Sequence, residues 1–213
     1  GGSQLTGHLT IDFFVNKISV LGIILPLYYF IKMLTSKDVT AEEKPRVWAY
    51  IPLFLAAIIF WSLQEQGSSI LALFASERTQ STLFGVTIQA SWYQSLNPIF
   101  IFILTPVFVT MWTKLGERQP STVVKFSLGL LFAGLSYLLL MLPGMLYGTS
   151  GKVSPLWLLG SFFIVVIAEL CLSPVGLSVT TKLAPRAFES QTIAIWFLAD
   201  ASSQAINAQI ARF

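Results

Sequence analysis

The sequence predicts an all-α, polytopic membrane protein with six transmembrane helices. Three observations carry that expectation. Apolar residues make up 54% of the 213 and charged residues 11%, with a mean hydropathy of +0.73, whereas a soluble domain carries about 25% charged residues. The apolar stretches are long and lack the period-two alternation of a membrane barrel strand. Six of them, joined by short polar connections, also divide the positive charge unequally between two sides.

In chain order, residues 1–10 are polar and Gly-rich and read as a loop. The first span covers about 11–34, kinked at Pro26 in its middle. Residues 35–47 form a charged loop with room for a short surface helix. The second span, about 48–76, is long enough to cross a bilayer as a helix. The third, about 92–114, follows Gly85, with Ser91 as a candidate cap and Asn97-Pro98 about a turn and a half inside. The fourth, about 121–147, is rich in Leu and Gly, and the fifth, about 155–183, contains Glu169 and Pro174. The sixth, about 188–213, recurs in Ala, Ser, Gln and Asn, which suits a helix packed among helices.

Six spans fix the sides of their connections. Lys32, Lys37, Lys44, Arg46, Lys114, Arg118, Lys125, Lys182 and Arg186, nine positives, share one side; Lys17, Arg78, Lys152 and Arg212, four, share the other. The positive-inside rule makes the first side cytoplasmic and places Glu77-Arg78 outside. The net charge of +3 is therefore a loop effect and points to no nucleic-acid partner. The single cysteine, Cys171, can form no internal disulfide and reads as a small buried hydrophobe. One histidine, His8, leaves no room for a His-rich metal site. No positively charged segment with a cleavage site precedes the first span, so it is not a signal peptide. The chain opens Gly-Gly-Ser without Met and ends at Phe213 inside its last apolar segment, so it reads as a piece of a longer protein.

The polar residues inside the spans carry the functional signal. Near the middle of the second span stand Gln64-Glu65-Gln66; Gln64, Glu65, Ser68 and Ser69 share a face, with Trp61 a turn earlier. An ionised carboxylate at that depth costs several kcal/mol and marks a functional hypothesis. A Glu paired with a neighbouring Arg or Lys for packing alone is the competing reading. Glu169, Ser173, Gly176 and Thr180 repeat the pattern on the fifth span, and Trp196, Asp200, Ser203 and Asn207 on the sixth. Pro98, Pro106 and Pro174 permit helix breaks that line a cavity. A carboxylate drawn out of water can take and release a proton during a cycle. It can also grip a cationic group such as an ammonium. Trp61 and Trp196 either wall such a pocket or pack against lipid and interior. Asp200 is expected to make a structural hydrogen bond to a neighbouring Ser or Asn.

Four blocks together resemble the bacterial proton-dependent oligopeptide transporters: Phe60-Trp61-Ser-Leu-Gln-Glu65-Gln-Gly67, Ser91-Trp-Tyr-Gln-Ser-Leu-Asn97-Pro98, Ala168-Glu169-Leu-Cys-Leu-Ser173-Pro174-Val-Gly176, and Trp196 through Asn207. The resemblance implies a major facilitator fold of two six-helix bundles. It makes span 11–34 with its loop to 47 an inter-bundle helix, and 48–213 the first five helices of an incomplete C-terminal bundle. The last helix and the N-terminal six-helix bundle would be the missing partners. It further implies that Glu65 couples protons and that Glu169 and Asn97 receive the peptide's amino terminus. Ser173, Trp61, Trp196 and Gln64 would line the pocket, and Glu77 would belong to an outer gate. A Gln at 64, where the family often has Glu, puts proton stoichiometry in question.

The expected function is then proton-coupled symport of di- and tripeptides across the bacterial cytoplasmic membrane by alternating access, with no cofactor and H+ as coupling ion. A major facilitator for another solute, nitrate or a glycoside, is the alternative. An enzyme would want His or Cys clusters, and a channel would want symmetric charge rings or a filter.

Overall fold

The computed structural model describes residues 2–210, with side chains from residue 13 onward. Residues 211–213 of the expected sixth span, Arg212 among them, lie outside the described residues. Six helices follow one another: α1 (Gly2–Thr35), α2 (Lys44–Glu77), α3 (Leu96–Leu115), α4 (Thr122–Tyr147), α5 (Pro155–Leu183) and α6 (Glu189–Ile210). Between α2 and α3 lies a short antiparallel hairpin, β1 (Thr82–Leu83) and β2 (Val86–Thr87), then a 3-10 turn over Ala90–Ser95. Five of the described helices are long and apolar enough to cross a membrane; α6 is the more polar one. The all-α polytopic architecture expected from the sequence is present.

The boundaries differ in instructive places. Residues 1–10, expected as a loop, are helical from Gly2. Polarity there marks the end of the apolar stretch, while backbone hydrogen bonding continues past it. For the same reason α2 begins at Lys44, upstream of the expected 48. Among the described residues no separate surface helix forms between α1 and α2; a turn over 41–43 leads directly into α2. The third span is helical throughout but opens as a 3-10 turn: Ser91 sits inside that turn and caps nothing, and α3 itself starts at Leu96. Asn97-Pro98 consequently stands in the first turn of α3. Proline is tolerated there because the first N–H groups of a helix have no acceptor to lose.

The chain divides into two compact units, residues 1–62 with 177–213, and residues 63–176. In the first, α1 packs antiparallel against α6. Pro26 has no N–H for the Gly22 carbonyl four residues back. Ser202 of α6 supplies the missing donor, its Oγ giving a hydrogen bond to the Gly22 oxygen at 2.5 Å. Farther along, the Thr192 hydroxyl meets Met33 Sδ at 3.4 Å. Phe30, Tyr50 and Phe54 form an aromatic cluster with ring centroids 5.3 to 6.4 Å apart. The Tyr50 hydroxyl pairs with Thr180 Oγ1 at 2.8 Å. At the connection between α1 and α2 Glu43 Oε2 accepts the backbone N–H of Arg186 at 2.7 Å and Oε1 accepts from Thr40. Those bonds, Arg186 foremost, hold the Glu43 carboxyl below the usual range.

The α1–α6 contact gives a stability prediction for the complete protein. Ser202→Ala orphans a buried carbonyl, a loss of about 1–3 kcal/mol. Gly22→Leu should cost more, because a Cβ at 22 already stands 3.3 Å from the Ala201 carbonyl oxygen and 3.5 Å from Ala205 Cβ. Thermal unfolding of the purified protein checks both; a Gly22→Leu variant melting at the wild-type temperature would refute the close approach.

In the second unit Leu71, Ala75, Tyr93, Leu140, Leu158 and Phe162 form a buried cluster. Gly129 brings α4 close to α5: a Cβ there would lie 3.0 Å from Leu172 Cβ and 3.2 Å from the Ala168 oxygen. The Tyr137 hydroxyl donates to the Leu63 carbonyl, and Gly67 leaves the space that this hydroxyl needs. Just past the C-terminal end of α2 Arg78 donates to the carbonyls of Thr149 and of Gly148, the latter at 3.0 Å. Backbone bonds Gln80 N–H to Val153 O (2.9 Å) and Val153 N–H to Arg78 O (2.7 Å) complete that tie.

Candidate functional site

Within the second unit α2, the start of α3 and α5 line a half-open cavity of about 400 Å³. The face of α2 that reaches it carries Gln64, Gly67, Ser68 and Leu71, spaced i, i+3, i+4, i+7 as one side of a helix requires. Phe162, Val165 and Glu169 do the same on α5. Pro98 stands in the first turn of α3, and Asn97 beside it lines the cavity.

Three polar side chains meet there. Gln64 Nε2 donates to Glu169 Oε2 at 3.3 Å. Asn97 stands beside the Glu169 side chain at the same cavity. Asn97 Oδ1 is buried without a partner. Buried acceptors normally find donors, so an orphan carbonyl beside a carboxylate marks a place for one. Both groups that the cluster offers to a ligand are acceptors. Their complement is a small cation with several N–H donors, for which a primary ammonium with three is the natural fit.

The cluster therefore gathers Gln64, Asn97 and Glu169 from three helices. Glu65, the next residue on α2, is half-buried and turned away from the cavity lining. Ser173 lies one turn beyond Glu169 on α5, half-buried and likewise outside the lining. Glu77 is exposed at the C-terminal end of α2. Trp61 and Trp196 belong to the first unit, where Trp61 packs edge-on against Phe60 at 5.4 Å and Trp196 is buried on α6. Asp200 meets the expected neighbouring Ser, but through its backbone. The Ser203 hydroxyl donates to its backbone oxygen at 2.6 Å, and Asp200 Oδ1 is buried without a partner. Gln94 and Phe162 line the cavity without having stood out in the sequence. Gln94 stands three residues before Asn97, a spacing that the 3-10 turn brings round to the same side.

Comparison with known proteins adds a consistent set of findings. The POT family model matches residues 1–213. Over 209 residues the chain is 56% identical to the uncharacterized transporter YclF of Bacillus subtilis (strain 168), covering 98% of this chain and 42% of that protein. It is also 56% identical to a di-/tripeptide transporter of Lactococcus lactis subsp. cremoris, covering 94% of this chain and 41% of that one. A crystal structure of a peptide transporter POT in complex with sulfate superposes with a TM-score of 0.86 at 57% identity, over 95% of this chain and 41% of that one. The chain thus spans less than half the length of these relatives.

Proposed function

This chain belongs to the POT family, and on that premise we propose that it forms the C-terminal part of a proton-coupled symporter of di- and tripeptides in the bacterial cytoplasmic membrane. The observation that carries the reading is the acceptor cluster of Glu169 and Asn97, steadied by Gln64, facing a cavity of about 400 Å³. In this reading Glu169 and Asn97 receive the peptide's ammonium. Gln64 orients Glu169, while Ser173, one turn farther along α5, is a further residue for the peptide. Glu65 carries the coupling proton, and Glu77, exposed at the outer end of α2, acts in a gate. An N-terminal six-helix bundle supplies the cationic groups for the peptide carboxylate. Transport requires no covalent step, only alternating exposure of the site to the two sides.

Other solutes fit the cluster less well. Nitrate would place an anion against a carboxylate and an amide oxygen, and a glycoside brings no positive charge to Glu169. The test is uptake by proteoliposomes of the complete protein under an inward proton gradient. Labelled dipeptide should accumulate, collapse with a protonophore, and be displaced by unlabelled tripeptide but not by nitrate or a glycoside. Accumulation that ignores the gradient, or displacement by nitrate, would overturn the proposal.

A further inference from the structure

The outer connection between α2 and α3 has an unusual composition and shape. Residues 79–96 contain no charged side chain. The hairpin turns at Phe84-Gly85 with positive φ at both, 50° and 81°. Glycine adopts that conformation freely, whereas a bulky residue there is an outlier. Two-residue hairpin turns usually use Asn, Asp or Gly at such positions, so a tip that keeps Phe has a use for the ring. That ring is 89% exposed, and Val86 and Trp92 are 60% and 52% exposed.

The depth of this segment follows from helix length. The helical stretch Ala90–Arg118, the 3-10 turn with α3, is long and apolar enough to cross a bilayer, which puts Trp92 within a turn of its start. α2 has 34 residues, about 51 Å, and so reaches beyond the hydrocarbon. The chain therefore descends from the outer end of α2 to the start of α3 through the headgroup layer. The exposed apolar surface of α3 (Ile99, Phe102 and Ile103) continues towards Trp92 at that level. Water is a poor neighbour for an uncharged, aromatic-tipped hairpin. The headgroup layer, where Trp and other amphipathic aromatics concentrate, is a good one.

We propose that the Phe84–Gly85 hairpin, together with Trp92, is an interfacial wedge seated among the phospholipid headgroups of the outer leaflet. Two anchors position it. The Arg78 bonds to the carbonyls of Gly148 and Thr149 and the Gln80–Val153 backbone pair tie its base to the segment between α4 and α5. The Ile88 N–H to Ser81 oxygen bond at 2.6 Å closes the hairpin. With its base fixed and its tip in lipid, the hairpin holds the outer ends of α2 and α3 at a set depth.

The test uses the complete protein with Cys171→Ala, reconstituted in phospholipid nanodiscs, and a spin label at position 84, 86 or 80 in turn. Collision with oxygen, which partitions into lipid, is compared with collision with a water-soluble nickel chelate. Labels at 84 and 86 should show a higher oxygen-to-nickel ratio than the label at exposed Gln80. With the label at 86, Phe84→Asp should shift that ratio back towards the value at 80. Ratios at 84 and 86 equal to that at 80 overturn the wedge. Labels immobilised and shielded from both reagents also overturn it, because the hairpin would then be docked on protein. A ratio at 86 indifferent to Phe84→Asp removes Phe84 as the anchor.

Discussion

Glu65→Gln in the complete transporter should abolish peptide accumulation driven by a pH gradient, while peptide counterflow without a gradient survives in part. Glu65 neighbours Gln64 in sequence, yet a helix turns about 100° per residue, so the two side chains serve different surroundings. Gln64 belongs to the cavity cluster; Glu65 does not line the cavity and is half-buried on α2. A carboxylate withdrawn from water holds its proton more firmly, and a guanidinium beside it loosens that hold. If an arginine of the N-terminal bundle alternates between Glu65 and the peptide carboxylate, protonation of Glu65 frees the arginine for substrate. Proton and peptide then favour each other by linkage, with a coupling on the order of 1–3 kcal/mol, or roughly 5- to 150-fold in affinity.

A glutamine side chain at position 65 is a permanent stand-in for the protonated acid. It should leave the arginine available, so exchange can proceed while the gradient has nothing to act on. Uptake and counterflow measured in one proteoliposome preparation separate the two effects. Gradient-driven accumulation at the wild-type level would dismiss Glu65 as the coupling group and move the search to Glu169 or the N-terminal bundle.

Much of this architecture is legible in the sequence because a bilayer imposes a long apolar stretch wherever the chain crosses it. The same signal misplaces ends. Gly2–Thr10 and Lys44–Val47 are helical although polar, since helix and hydrocarbon stop at different residues. The start of α3 is easily misplaced because Pro98 looks like a break inside a helix, when it stands in the first turn. The hairpin escapes notice because Phe84 occupies a turn position where Asn or Gly gives the usual cue. Within the site, the polar stripe on each helix is visible, but which residues meet is not. Gln64 and Glu169 are 105 residues apart, and their hydrogen bond depends on the relative rotation and depth of α2 and α5. The Ser202–Gly22 bond is of the same kind. Pro26 announces a carbonyl in need of a donor, and only packing reveals that α6 provides it.

The remaining large effect concerns the amine. Glu169→Gln in the complete transporter should weaken binding of peptides with a free amino terminus by roughly ten- to a hundredfold, consistent with a charged hydrogen bond of about 1.5–3 kcal/mol. N-acetylated peptides, which bring no ammonium, should lose far less. The substitution is conservative in shape, and the introduced amide oxygen can still accept from Gln64 Nε2, so that bond is kept while the charge is lost. Asn97 Oδ1, buried and unpartnered, remains as the second acceptor for the ammonium and accounts for residual binding. Asn97→Ala should therefore reproduce the selectivity of the effect at smaller size, since it removes a neutral acceptor and not a charge. Calorimetry with a matched pair of free and acetylated dipeptides reads the difference directly. Equal losses for the two peptides in Glu169→Gln would remove Glu169 from the amine site. The cluster of Gln64, Asn97 and Glu169 would then be a structural junction between α2, α3 and α5, and Glu65 would stand as the remaining acidic candidate in the middle of α2.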